Sequence, residues 1–211
     1  MAIRDNREYR NLGQFETSDD DEKRYIVEGY ASTYQPYEMM EIDGEKYYER
    51  IDPHAFDEAD MSDVVFLRDH TGRVLARTKN NAVTLDIDMT GLRTRTDLGL
   101  TEAARDMYED IQVGNYSQMS FSFIVAEDHY DRPTRTRVID RIAKVFDISA
   151  VSFPANPTTN IGISMRDYFN GVIEAERAER LEREKRDADR RKLELRIKLE
   201  RNRNGSQRDD I

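Results

Sequence analysis

Cysteine is absent from the 211 residues. Disulfide staples, zinc–thiolate centres and cysteine nucleophiles are therefore excluded outright. Long apolar runs are missing too: no stretch approaches the ~20 residues that a membrane-spanning helix needs. The opening Met1-Ala-Ile-Arg-Asp-Asn-Arg-Glu8 has no apolar signal region. The expectation is a protein that stays in the cytosol where it is made, with no membrane partner. An excess of positive charge is also lacking. The formal net charge is −10, which argues against nucleic acid as the main partner. Histidine is scarce, with His54, His70 and His129 the only three, so a general base near neutral pH has few candidates. The three have no metal-ligand spacing, and the acidic pairs look like ordinary surface charge, so a metal site is not expected.

What is present is unevenly distributed. Apolar residues make up 37% and charged residues 36%, a poor ratio for a globular domain taken as a whole. Between Glu174 and Arg203, however, 21 of 30 residues are charged, 12 of them basic and 9 acidic. Leu181, Ala188 and Leu195 recur there at seven-residue spacing with charged positions between them. Such a segment makes a polar helix with a weak seam, or a disordered tail, and cannot bury enough to fold alone. Residues 1–24 are polar, end in the acidic run Ser18–Glu22, and read as a flexible lead-in. A domain over 25–165 and a charged extension over 166–211 complete the organisation.

Within that domain the pattern is mostly β. Tyr25–Tyr34, Glu45–Ile51, Val64–Leu67, Val74–Thr78 and Ala82–Asp88 read as strands, and Leu92–Thr96 pairs back on the last of them across a turn at Thr90-Gly91. One helix is expected over Thr101–Val113, with Thr101 as its N-cap, Ala104, Met107 or Tyr108, and Ile111 on its buried stripe, and Gly114 as a left-handed C-terminal residue. A strand follows from Gln118 to Val125. A polar loop is expected at Asp128–Arg137. The apolar runs Val138-Ile139 and Ile142–Val145 lead into Phe146–Phe153, which Pro154-Ala-Asn-Pro157 stops.

The Gln118–Val125 strand is the unusual one. Alternation puts Met119, Phe121, Phe123 and Val125 on one face and Gln118, Ser120, Ser122 and Ile124 on the other. A row of hydroxyls in such a strand is either a solvated face or the site of a nucleophile, for which Ser117, Ser120 and Ser122 are the choices. His70 ends the apolar strand Val64–Leu67, where a rigid scaffold can present a base to a cleft. His129 lies in a polar loop and His54 in a turn, and both read as surface residues. A base needs a partner for its second ring nitrogen. Asp147, set among Val145, Phe146, Ile148, Ala150 and Val151, is the carboxylate that most needs one in return. Asp69 is adjacent to His70, and neighbouring side chains in extended chain point apart.

In series, these segments resemble the capsid-maturation (prohead) serine proteases of tailed phages, the type that accompanies HK97-like capsids and is related to the herpesvirus assemblins. Gly29-Tyr-Ala-Ser resembles the family's opening strand. Arg50-Ile-Asp-Pro-His-Ala-Phe56 is similar to its "I-x-P-G-A-F" segment, with His54 where glycine is usual. Phe66-Leu-Arg-Asp-His-Thr71 is similar to its "N-H-D" motif, with Asp69 and Thr71 as departures. Gly114-Asn-Tyr-Ser-Gln-Met-Ser-Phe-Ser-Phe123 resembles "G-x-x-S-G-M-S-F-G-F", with Gln118 and Ser122 replacing glycines. Asp147-Ile-Ser-Ala-Val-Ser-Phe-Pro-Ala-Asn-Pro157 is similar to "E-V-S-L-V-T-F-P-A-N-P".

The resemblance implies an α+β, mostly β fold: an assemblin-like closed or partly open β-barrel with flanking helices. It implies a serine endopeptidase with His70 as general base, Ser120 as nucleophile and Asp147 as third member. Ser117 also matches a family serine, but assemblin-like spacing favours Ser120. The implied partners are the major capsid protein with its scaffolding segment, and the chain itself through autocleavage, with homo-oligomerisation left open. The implied location is the procapsid interior in the host cytoplasm, with no cofactor. Residues 166–211 would be a self-removed or scaffold-docking extension. The alternative is a catalytically silent assembly or scaffolding protein on the same fold. An esterase-like hydrolase is disfavoured, because no G-x-S-x-G elbow surrounds the three serines.

Overall fold

The computed structural model describes residues 7–17, 25–152 and 160–205. The acidic run Ser18–Glu22 and the stop Pro154-Ala-Asn-Pro157 lie outside the described residues. The chain divides into two compact units, Met1–Ile163 and Ser164–Ile211.

Eleven strands, a 3-10 turn at Thr78–Asn80 and one complete α-helix are described in the first unit: β1 (Glu8–Gln14), β2 (Glu16–Thr17), β3 (Ile26–Thr33), β4 (Tyr37–Ile42), β5 (Glu45–Ile51), β6 (Val65–Arg68), β7 (Thr71–Arg77), β8 (Val83–Ile87), β9 (Gly91–Asp97), α1 (Glu102–Gln112), β10 (Gln118–Asp131) and β11 (Thr136–Val151). They form two open sheets. The larger runs β1-β10-β11-β5-β4, and the smaller β2-β3-β9-β8. Among the described residues no barrel closes, which corrects the closed-barrel expectation.

β11 organises the larger sheet. One edge pairs along β10 in antiparallel fashion. The other edge is shared between two parallel partners: β5 at Thr136–Ile139 and β6 at Asp147–Ala150. β6 brings β7 with it as a hairpin. The last strand of the domain therefore lies between the serine strand and the histidine hairpin.

The lead-in expectation fails for β1, which pairs antiparallel with β10 from Glu8 to Gln14. Its sequence gives no apolar signal because its charges are buried in pairs. Arg10 is 3% exposed and Glu49 on β5 0%. Arg10 donates to Glu49 through Nε and, at 2.7 Å, through Nη2. Arg137 on β11 reaches Glu49 at 2.9 Å and Glu8 at 2.7 Å, and also donates to Asp128. Tyr37 of β4 donates its hydroxyl to Glu49. Burial alone would lower the Arg10 pKa, but Glu49, Tyr37 and Glu8 outweigh it and hold the guanidinium well above its ordinary value. After β1 the chain passes to the smaller sheet. A Cβ at Gly13 would lie 2.0 Å from the Tyr30 carbonyl oxygen, so only glycine permits this close approach.

The expected polar loop at Asp128–Arg137 is also shorter than foreseen. β10 continues to Asp131 and β11 begins at Thr136. Cross-strand pairs such as Tyr130↔Arg137 carry the hairpin outward.

α1 forms as its sequence predicts. Thr101 Oγ1 accepts from the Ala104 N–H at 3.2 Å, and Ala104, Met107, Tyr108 and Ile111 are buried. Gly114 follows at φ +84°. The core face of β10 is likewise as read: Met119, Phe121 and Phe123 are each 0% exposed, and the Phe121 and Phe123 rings stack at 4.5 Å.

One helix, α2 (Asn160–Gly205), begins at the end of the first unit and supplies every described residue of the second. Leu181, Leu193, Leu195 and Leu199 are exposed on it. No helix among the described residues is long and apolar enough to cross a membrane.

Candidate active site

The hydroxyl face of β10 is not solvated. Ser120 is 3% exposed and Ser122 0%, so each hydroxyl must be satisfied from within the protein. Their partners come from β11 and from the β6–β7 turn. Register sets Ser120 opposite Ser149 and Ser122 opposite Asp147 on the neighbouring strand. All four side chains therefore share one face of the sheet.

The histidine arrives on a two-residue hairpin turn. Arg68 pairs with Thr71, leaving Asp69 and His70 as the loop, at φ +48° and +57°. Positive φ at both central residues is the geometry that matches strand twist in tight hairpins, and Asp and His are among the non-glycine residues that tolerate it best. Three bonds dock this turn on the end of β11. The Asp69 N–H donates to the Ala150 carbonyl at 2.9 Å, the His70 N–H donates to Ser149 Oγ at 3.2 Å, and Asp69 Oδ1 accepts from the Ser152 N–H at 3.2 Å. Asp69 is thus a turn anchor and not the orienting carboxylate.

So held, the imidazole bridges the two strands. Its Nδ1 lies 2.6 Å from Asp147 Oδ1, and its Nε2 lies 2.7 Å from Ser120 Oγ. The Tyr9 ring, on β1, packs at a steep angle against the imidazole, 4.6 Å between centroids. Burial pushes the Asp147 carboxyl up. The hydrogen bond and charge of His70, with the hydroxyls of Ser122 and Ser149, outweigh burial and hold it below its ordinary value. An ionised carboxylate only accepts. It therefore requires the proton on Nδ1, leaving the Nε2 lone pair for the Ser120 hydroxyl. The His70 side chain is 17% exposed, so the pair is shielded without being sealed. A hydroxyl whose proton has a neutral imidazole to move to, with a carboxylate behind to stabilise the imidazolium, can act as a nucleophile at a carbonyl carbon.

The other sequence candidates lie elsewhere. Ser117 is exposed, immediately before β10. The side chain of His54 is 83% exposed, beside Asp57, and that of His129 is 56% exposed, beside Asp140. Sequence reasoning missed Ser149, although its position two residues after Asp147 puts both on one strand face. It weighed Ser122 as a rival nucleophile and as a replacement for a family glycine, whereas the Ser122 hydroxyl donates to Asp147 Oδ2. Tyr9 carried no signal, because its strand was not expected. Among the described residues no group of three or more His, Asp or Glu side chains is arranged to hold a metal ion.

A family model described as caudovirus prohead serine protease matches residues 13–171. No curated protein matches the chain, and no solved structure does.

Proposed function

Because the chain belongs to the caudovirus prohead serine protease family, serine peptidases with a role in capsid maturation, we propose that it is an endopeptidase working through Ser120, His70 and Asp147. Its substrates are the scaffolding segment of the major capsid protein and the chain itself. The observation that carries this reading is the unbroken hydrogen-bond line from Ser120 Oγ through both ring nitrogens of His70 to Asp147.

In this mechanism Ser120 Oγ attacks the scissile carbonyl while its proton passes to His70 Nε2. Asp147 holds the imidazole tautomer and stabilises the imidazolium. The tetrahedral intermediate collapses as Nε2 gives the proton to the departing amine. Water then repeats the sequence on the acyl-enzyme, restoring the Ser120 hydroxyl and releasing the acid product. No step calls on a group from outside the chain and its substrates. A recess of about 230 Å³ is lined by Arg68 and Thr71, on either side of the His70 turn, and by Arg73, Leu75, Asp106 and Met107; in this reading it takes a substrate side chain.

The test is covalent labelling of the full chain with a serine-directed fluorophosphonate, followed by peptide mapping. Modification of Ser120 that disappears in His70→Ala is the expected result. Modification elsewhere, or none, overturns the reading. Mass spectrometry after incubation reads self-cleavage directly, as a loss of mass dependent on Ser120.

A further inference from the structure

Asp147 does not meet His70 alone. Its Oδ1 accepts from His70 Nδ1 at 2.6 Å and from the Ser149 hydroxyl at 2.8 Å, while its Oδ2 accepts from the Ser122 hydroxyl. Both serines are 0% exposed, and both direct their single hydroxyl proton at the same carboxylate. The Ser149 oxygen also accepts the backbone N–H of His70 at 3.2 Å. One hydroxyl thus ties the carboxylate to the backbone of the base it serves.

We propose that Ser122 and Ser149 are positioning residues, a two-hydroxyl clamp that fixes the Asp147 carboxylate against His70, and that Ser122 sets the length of acidic side chain the site accepts. The inference deepens the protease reading and rests on it for its kinetic consequences. The clamp leaves the carboxylate no freedom of rotation, since each oxygen is claimed from a different strand. It also leaves no spare length. The Asp147 side chain is 4% exposed, and it contacts Ser122 on one oxygen and His70 on the other. One further methylene would drive the carboxylate by about a C–C bond length, ~1.5 Å, into the Ser122 hydroxyl. Glycine at 122 would open that room.

The experiment compares wild type, Ser122→Ala, Ser149→Ala, Asp147→Glu and the double variant Asp147→Glu/Ser122→Gly. One readout is the fluorophosphonate labelling rate of Ser120 between about pH 5 and 9. The other is the titration midpoint of the His70 imidazole by NMR, which needs no turnover and has only three histidines to assign. Each alanine variant is expected to label about 10–100-fold more slowly, the scale of a lost hydrogen bond to a charged group, with a displaced imidazole midpoint. The double variant is expected to label at least about tenfold faster than Asp147→Glu alone and to bring the midpoint back towards wild type. Alanine variants that keep both the wild-type rate and the wild-type midpoint overturn the clamp. So does a double variant no better than Asp147→Glu. If one alanine variant does not fold, the glutamate–glycine comparison decides. If wild type itself is not labelled at Ser120, the protease reading fails, and the clamp is decided by the midpoints alone.

Discussion

Replacing Asp147 by asparagine keeps the shape of the side chain and removes its charge. In the folded protein that carboxylate accepts from His70, Ser149 and Ser122. Asparagine can satisfy the serines in either amide orientation, because hydroxyls both donate and accept. It cannot serve His70 equally well both ways. With its NH₂ towards Nδ1, the imidazole proton moves to Nε2, which then points a proton at the Ser120 hydroxyl instead of a lone pair. With its oxygen towards Nδ1, the tautomer survives but the negative charge is gone. At 2.6 Å, a carboxylate–imidazolium attraction is worth about 6 kcal/mol at an effective dielectric of ~20. A rate loss of roughly 10⁴, as a wrong tautomer causes in other serine triads, corresponds to about 5.5 kcal/mol. The two routes agree on the size. Asp147→Asn should therefore slow fluorophosphonate labelling and self-cleavage by roughly four orders of magnitude, with an unchanged circular dichroism spectrum. A folded Asp147→Asn protein that reacts within about tenfold of wild type would remove Asp147 from the mechanism.

Ser120→Ala should abolish labelling and self-processing in a folded chain, whereas Ser117→Ala should retain both; loss of activity in both would reassign the nucleophile. The pH dependence of stability has a defined sign. Asp147 is held below its ordinary value in the folded state, so its contribution is fully present above the unfolded carboxylate pKa of about 4 and is lost as pH falls through the lower folded value. Urea unfolding of wild type should weaken across that acidic window more steeply than that of Asp147→Asn; equal slopes would contradict the depressed pKa. Glu49→Gln leaves the buried guanidinium groups of Arg10 and Arg137 short of a counter-charge and should cost about 3–5 kcal/mol in chemical denaturation. A change under about 1 kcal/mol would show that the network relaxes into water.

How far the sequence could be read depended on where the charges end up. α1 was legible because its cap, its apolar stripe and its terminal glycine all serve local rules. The serine strand was legible as a strand, and its alternation correctly separated Met119, Phe121 and Phe123 from Ser120 and Ser122. β1 was not legible. A strand bearing Glu8 and Arg10 reads as solvent-exposed chain until Glu49 and Arg137, from strands far along the sequence, neutralise it. The same pairing hid the outer half of the β10–β11 hairpin, where Asp128 and Arg137 look like loop residues and form an ion pair between the two strands. His70, Ser120 and Asp147 stood out because each is a polar residue in or beside apolar chain. Their convergence was not legible from periodicity, since it depends on β6 joining β11 in parallel, a pairing between segments about 80 residues apart.

That parallel pairing has a consequence for timing. Asp147, Ser149 and the docking point for the histidine turn all belong to β11, the last described strand to leave the ribosome. A nascent chain that has exposed Ser120 and His70 still lacks both the carboxylate and the ledge on which the imidazole is seated. Under the proposed mechanism the hydrogen-bond line from Ser120 through His70 to Asp147 would therefore be complete only once β11 has been made.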